Sequence, residues 1–104
     1  FKKYEYETFL QKASECYKKL GNWDKVLELN DEGIDINPDN VQYYISKAEA
    51  LHNKQQTDKA KDFMKKAEKK AADNVYFKQL VAQMYKDLGY KEDADRIEKE
   101  ISSK

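Results

Sequence analysis

One interval recurs along this chain, and it constrains the fold more than any other feature. Asp39-Asn40 returns as Asp73-Asn74, an offset of 34 in the numbering. Each pair offers good helix N-cap residues ahead of an apolar-periodic stretch. Gly21 and Gly89 each follow a leucine at the end of a helical pattern, and they are separated by twice the same offset. Stepping by that offset aligns Phe9, Tyr43 and Phe77 as an aromatic column, and Tyr17, Leu51 and Tyr85 as a second large one. Ser14, Ala48 and Ala82 are all small; Val26, Ala60 and Ala94 are small or medium apolar residues; Asp24, Asp58 and Glu92 are all acidic. Tyr17-Lys18-Lys19-Leu20-Gly21 returns as Tyr85-Lys86-Asp87-Leu88-Gly89. A fixed period of this length marks units that cannot bury an apolar face alone and must stack on their neighbours.

Each period reads as two amphipathic helices. The first of each pair covers 8–20, 41–54 and 75–88; the second covers 23–36, 57–71 and 91–102. Apolar residues recur at steps of three and four, as in the stripe Phe77, Val81, Met84, Tyr85 and Leu88. The turns within pairs are about two residues long, which makes each pair antiparallel. No segment alternates as a half-buried strand does. An all-α chain of about six antiparallel helices follows, divided into units 7–40, 41–74 and a shortened 75–104. Residues 1–6 form a lead-in or the remnant of an upstream segment, and a start at Phe1 rather than Met reads as a domain excised from a longer chain.

Packing explains the columns. Helices 8–10 Å apart need small side chains where they cross. Ser14, Ala48, Ala82, Ala60 and Ala94 supply these, while Phe9, Tyr17, Tyr43, Phe77 and Tyr85 fill the volume between helices.

Composition excludes several function classes. Twenty Lys+Arg balance twenty Asp+Glu, whereas a dedicated nucleic-acid binder carries a positive excess. No apolar run approaches the roughly 18–20 residues of a membrane span. One Cys makes no internal disulfide. One Cys and one His give no partnered nucleophile or base, no metal-ligand spacing is present, and no Gly-rich phosphate loop occurs. No catalytic, cofactor or metal residues are therefore expected. Cys16 is expected to join the core stripe of its helix as an inert thiol. His52 is expected on the exposed or groove side.

These features resemble the tetratricopeptide repeat. The first unit matches through Leu10, Ala13, Ser14, Tyr17, Gly21-Asn22-Trp23, Val26, Gly33 and Pro38. The second matches through Tyr44, Ala48, Leu51, Ala60 and Ala67, and the third through Val81, Ala82, Tyr85, Gly89, Ala94 and Ile101. The chain departs from the pattern at Lys47, at Gln55-Gln56 where Gly is usual, at Ala72 where Pro would stand, and at Asn30 and Glu98 in place of aromatics. Glu98 and Ser102 fall where a further repeat would pack and read as a polar cap.

The resemblance implies a right-handed α-solenoid whose first helices line a concave groove. That face would carry Gln11, Glu15, Gln42, Ile45, Glu49, Tyr76, Gln79 and Gln83, with Thr8, Lys18, Ser46, His52, Leu80 and Lys86 alongside. Such a face implies a non-catalytic protein–protein interaction module, a scaffold or adaptor that takes a peptide or partner protein; it is also readable as a plain solvated helix face. Some members of the family clamp the C-terminal carboxylates of chaperones with Lys, Asn and Arg. Gln11, Glu15, Ser46, Tyr76 and Leu80 stand at the matching places, which argues against that subtype.

Two other readings stay open. Lys59, Lys61, Lys65, Lys66, Lys69 and Lys70 form a basic helix of the kind RNA-binding repeats use, although Asp58, Asp62, Glu68 and Asp73 interleave them. An apolar face around Phe1, Tyr4 and Tyr6 would support homo-oligomerisation or packing on a neighbouring domain, so a monomer or weak homo-oligomer is expected. A soluble, cytoplasmic protein without a membrane span is the expected setting.

Overall fold

The expected hairpins form because the sequence breaks each helix at the same point. The computed structural model describes residues 2–103. Among these it contains α1 (Lys3–Lys19), α2 (Trp23–Ile36), α3 (Val41–Asn53), α4 (Thr57–Ala71), α5 (Val75–Leu88) and α6 (Lys91–Ser102). Helix N-termini leave backbone N–H groups unsatisfied. Asn22, Asn40 and Asn74 meet this need, accepting from the backbone N–H of Lys25, Gln42 and Phe77 at 3.0–3.2 Å.

The turns inside the three hairpins are closed by the same bond. In each, the residue two past the last full helical turn donates back across it: Asn22 to the Tyr17 carbonyl, Gln56 to Leu51 and Tyr90 to Tyr85, at 2.8–2.9 Å. This closure needs a left-handed residue. Gly21 and Gly89 supply it at φ 72° and 90°, and Gln55 adopts the same region at φ 64°. A side chain at that φ costs about 1–2 kcal/mol. Gln55→Gly is therefore expected to stabilise the protein by about 0.5–1 kcal/mol, after the added freedom of the unfolded chain is deducted. Urea unfolding would register this as a higher midpoint at an unchanged slope. A lower midpoint would show that the Gln55 side chain contributes more than its backbone strain removes.

Successive helices pack in chain order, and α3 also meets α5. The chain is thus all-α, three antiparallel hairpins stacked in sequence, with the core between them. Small residues occupy the crossings as expected: Ala48, Ala60 and Ala94 are fully buried, and Ser14 and Ala82 nearly so. Large side chains fill the adjoining space, chiefly Tyr43, Tyr85, Leu10 and Met64. One contact is closer than any side chain would permit. A Cβ built on Gly33 of α2 would stand 2.4 Å from the Tyr43 ring.

Four expectations require correction. The lead-in is helical from Lys3, because the asparagine column that starts α3 and α5 holds Tyr6 in the first unit, and nothing there breaks the helix. Phe9 is not core: it is 55% exposed and stacks on Tyr6. Tyr43, its counterpart one period on, is covered by Gly33 from the preceding hairpin, and no described helix precedes α1. Cys16 is exposed on the same helix. His52 lies edge-on to Tyr90, with Nδ1 buried and unpaired among the described residues, away from the groove lining. The lysine at position 47 fits without an apolar substitute. Its ammonium lies 4.2 Å from the centre of the Phe63 ring and 2.5 Å from Asp31 Oδ1.

Tyr4 and Phe9 are exposed on α1, and Leu20 just past its C-terminus. Phe1, expected on an apolar face with Tyr4 and Tyr6, lies outside the described residues. The outer side of α6 is polar, formed by Asp95, Glu98, Lys99, Ser102 and Ser103. No helix of the described residues is long and apolar enough to cross a membrane.

Candidate functional site

The first helix of each hairpin contributes to one open cavity of about 350 Å³. Gln11, Ser14, Glu15 and Lys18 come from α1; Gln42, Tyr43, Ile45 and Ser46 from α3; Leu80, Gln83, Met84 and Asp87 from α5. The helical period puts each set on one stripe, since residues three and four apart share a face.

The floor is mixed. Ile45 is 7% exposed and joins the core, so it offers an apolar base rather than a protruding side chain. Beside it lies a buried polar pair: Asn30 Nδ2 donates to Ser14 Oγ at 3.1 Å and to the Val26 carbonyl at 2.8 Å. With its amide N–H groups engaged, Asn30 presents its carbonyl oxygen as an acceptor.

Lys18 ties the rim together. Its ammonium donates to Ser46 Oγ at 3.0 Å and pairs with Glu49 at 3.0 Å and Glu15 at 3.2 Å. On α5, Gln83 Nε2 donates to Asp87 Oδ1 at 2.9 Å.

Beneath one end, Glu7 anchors α1 to the second hairpin. Its carboxylate accepts from Tyr43 Oη at 2.9 Å and Asn37 Nδ2 at 3.1 Å, with Asn40 Nδ2 at 3.5 Å. Burial pushes the Glu7 carboxyl up, but these donors and the charge of Lys3 outweigh it and hold it below the usual carboxylate range. The phenols respond oppositely. Burial, then donation to Glu7, raises Tyr43 far above its ordinary value; burial and donation to Glu68 at 2.5 Å do the same to Tyr85.

The sign of the pH dependence follows. The Glu7 contribution is present above the ordinary carboxylate pKa and is lost as pH falls through the depressed value. The tyrosine contributions are complete below about pH 10 and are lost as pH rises beyond it. Urea unfolding from pH 7 to 11.5 should show stability falling above pH 10, with a shallower fall in Tyr43→Phe/Tyr85→Phe. Parallel curves for the two proteins would mean that neither phenol is held neutral by the fold.

The eight residues expected on the groove do not all converge. Gln11, Glu15, Gln42, Ile45 and Gln83 line the cavity. Glu49 reaches its rim through Lys18. Tyr76 is 58% exposed and lines an adjoining hollow that shares Gln42. Gln79 is exposed and lines neither. Of the flanking residues, Lys86 turns to Glu98 on α6, at 2.9 Å, and Thr8 bonds to the Tyr4 carbonyl. Ser14, Asn30, Tyr43, Met84 and Asp87 join the lining without having been expected there. Asp87 was legible, since it lies four positions beyond Gln83 on the same helical stripe.

A second hollow, lined from α2, α3 and α4, sets Lys47, Lys66, Lys69 and Lys70 beside Asp31 and Asp35. Phe63 lies between the ammonium groups of Lys47 and Lys66. Several of these cations are already engaged: Lys47 by Asp31, Lys61 by Asp93 and Lys70 by Asp39. Among the described residues no three His, Cys, Asp or Glu side chains are grouped to hold a metal ion. Comparison of the chain with protein-family models and with curated proteins finds no match.

Proposed function

We propose that the protein is a non-catalytic protein–protein interaction module of tetratricopeptide-repeat type, which holds a peptide segment of a partner in the cavity between α1, α3 and α5. One observation carries this reading: the first helices of all three hairpins converge on a single open cavity with a mixed floor, apolar at Ile45, and a polar, hydrogen-bonding rim. Peptide sites have this composition, because apolar contacts supply affinity while a few placed polar groups fix orientation. The glutamines serve an extended backbone well, each offering both a donor and an acceptor.

Selection of random 12-residue peptides against the immobilised protein tests this. Peptides that survive should lose at least tenfold in affinity for Gln83→Arg, which fills the exposed rim, and bind Lys69→Glu as they bind the unaltered protein. Peptides that ignore Gln83→Arg and lose affinity for Lys69→Glu would move the site to the basic face of α4, where an RNA-binding role would be taken up instead. Concentration-dependent sedimentation with no peptide selected would favour self-association through the exposed Tyr4 and Phe9.

A further inference from the structure

The polar groups of the cavity are unequally matched. Glu15 is well exposed, with 64% of its side chain accessible, and Asp87 is on the facing helix. Lys18 is the single cation among the described lining residues, and it is not available to a guest. Only 14% of its side chain is accessible, and its ammonium is shared among Glu15, Glu49 and Ser46. Two carboxylates already face that one ammonium, and the Asp87 carboxylate is met by the neutral amide of Gln83. Asn30 adds a neutral acceptor from the floor. The site therefore presents surplus acceptors and negative charge around the aliphatic side chains of Ile45 and Leu80. Between them, Glu15 on α1 and Asp87 on α5 place that charge on both banks.

We infer that the occupant is a basic peptide segment of a partner protein, in which an aliphatic residue seated on Ile45 and Leu80 is flanked by lysine or arginine reaching Glu15 on one side and Asp87 on the other. This deepens the binding role proposed above and rests on it. Charge complementarity across a groove governs choice of partner and association rate more than total affinity. An acidic peptide would meet like charge on both banks. A neutral one would leave the carboxylates solvated and gain little from them.

The test uses three synthetic 12-residue peptides with leucines at the same positions and arginine, serine or glutamate between them, followed by fluorescence anisotropy. The arginine peptide is expected to bind at least tenfold tighter than the serine peptide and the glutamate peptide weakest. The Glu15→Lys/Asp87→Lys variant should erase or reverse that order, and Lys69→Glu should leave it intact. The serine peptide binding as tightly as the arginine peptide, with both lost in Gln83→Arg, would overturn the charge inference while the groove reading stands. An arginine preference that survives Glu15→Lys/Asp87→Lys would place it outside the cavity and overturn the inference as well. Failure of all three peptides to respond to Gln83→Arg would overturn both readings.

Discussion

Replacing Ala82 by tryptophan is expected to abolish the cooperative fold. Ala82 lies on α5, 3% exposed, within the cluster that joins the second and third hairpins through Ala48, Met64, Val81, Tyr85 and Ala94. Helix axes come close there because the side chains at the crossing are small. Protein interiors are packed as densely as organic crystals, so an indole has no void to enter. Overpacking by a few methylenes already costs about 1–3 kcal/mol, and a domain of this size has only about 5–15 kcal/mol in total. The expected observation is loss of the sigmoidal thermal transition monitored by circular dichroism. A variant that melts as the unaltered protein does would show that α5 does not cross its neighbours at Ala82.

Gly33→Val is expected to destabilise the protein by about 3 kcal/mol, at the upper end of ordinary overpacking. On helix propensity alone, replacing an interior glycine gains a few tenths of a kcal/mol. The Tyr43 ring reverses that sign. It is 1% exposed, lies where the new Cβ would go, and is held from its far end by the bond from its hydroxyl to Glu7. The ring cannot withdraw without leaving Glu7 and opening the floor of the groove. A loss of this size should lower the melting temperature by about 12–24 °C. Coupling to Tyr43→Leu identifies the mechanism: the double variant Gly33→Val/Tyr43→Leu should lose markedly less than the sum of the two single losses. Strict additivity would place the cost somewhere other than the Tyr43 ring.

These two sites show why so much of the fold was legible. Ala82 sits in a column set by the repeat period, and Gly33 is one of the residues through which the first unit matches the repeat pattern. A period states which residues must meet, because each hairpin meets its neighbour as the previous one did. The helix limits followed from punctuation, and α2, α4, α5 and α6 run as read from the sequence. Two of the errors lie on α1. Phe9 was assigned to the core by its column and Cys16 by the stripe of its own helix, yet both are exposed, and no described hairpin precedes α1 to cover Phe9 as the first hairpin covers Tyr43. The early start of α1 has a local origin, since Tyr6 replaces the capping asparagine.

The groove was less legible than the fold. The family resemblance pointed to Gln11 and Glu15, Gln42 and Ile45, and Gln83, which do line the cavity. It could not separate a residue that protrudes from one that forms the floor, and Ile45 proved to be floor. Nor could it find Asn30, which belongs to the second helix of its hairpin and lines the cavity beside Ser14, to which it donates. His52 was misplaced because its turn of α3 faces the ring of Tyr90. The pairing of Lys18 with Glu49 and Ser46, half-buried between α1 and α3, had no sequence signal beyond charge.

The claim that matters most is that α1, α3 and α5 together form the binding face. Amide chemical shifts of the labelled protein, recorded while a selected peptide is added, test it most directly. The largest changes are predicted at Gln11, Glu15, Gln42, Ser46, Gln83 and Asp87, residues drawn from all three helices. Changes confined to Lys66, Lys69 and Lys70 on α4, with those six amides unmoved, would contradict it.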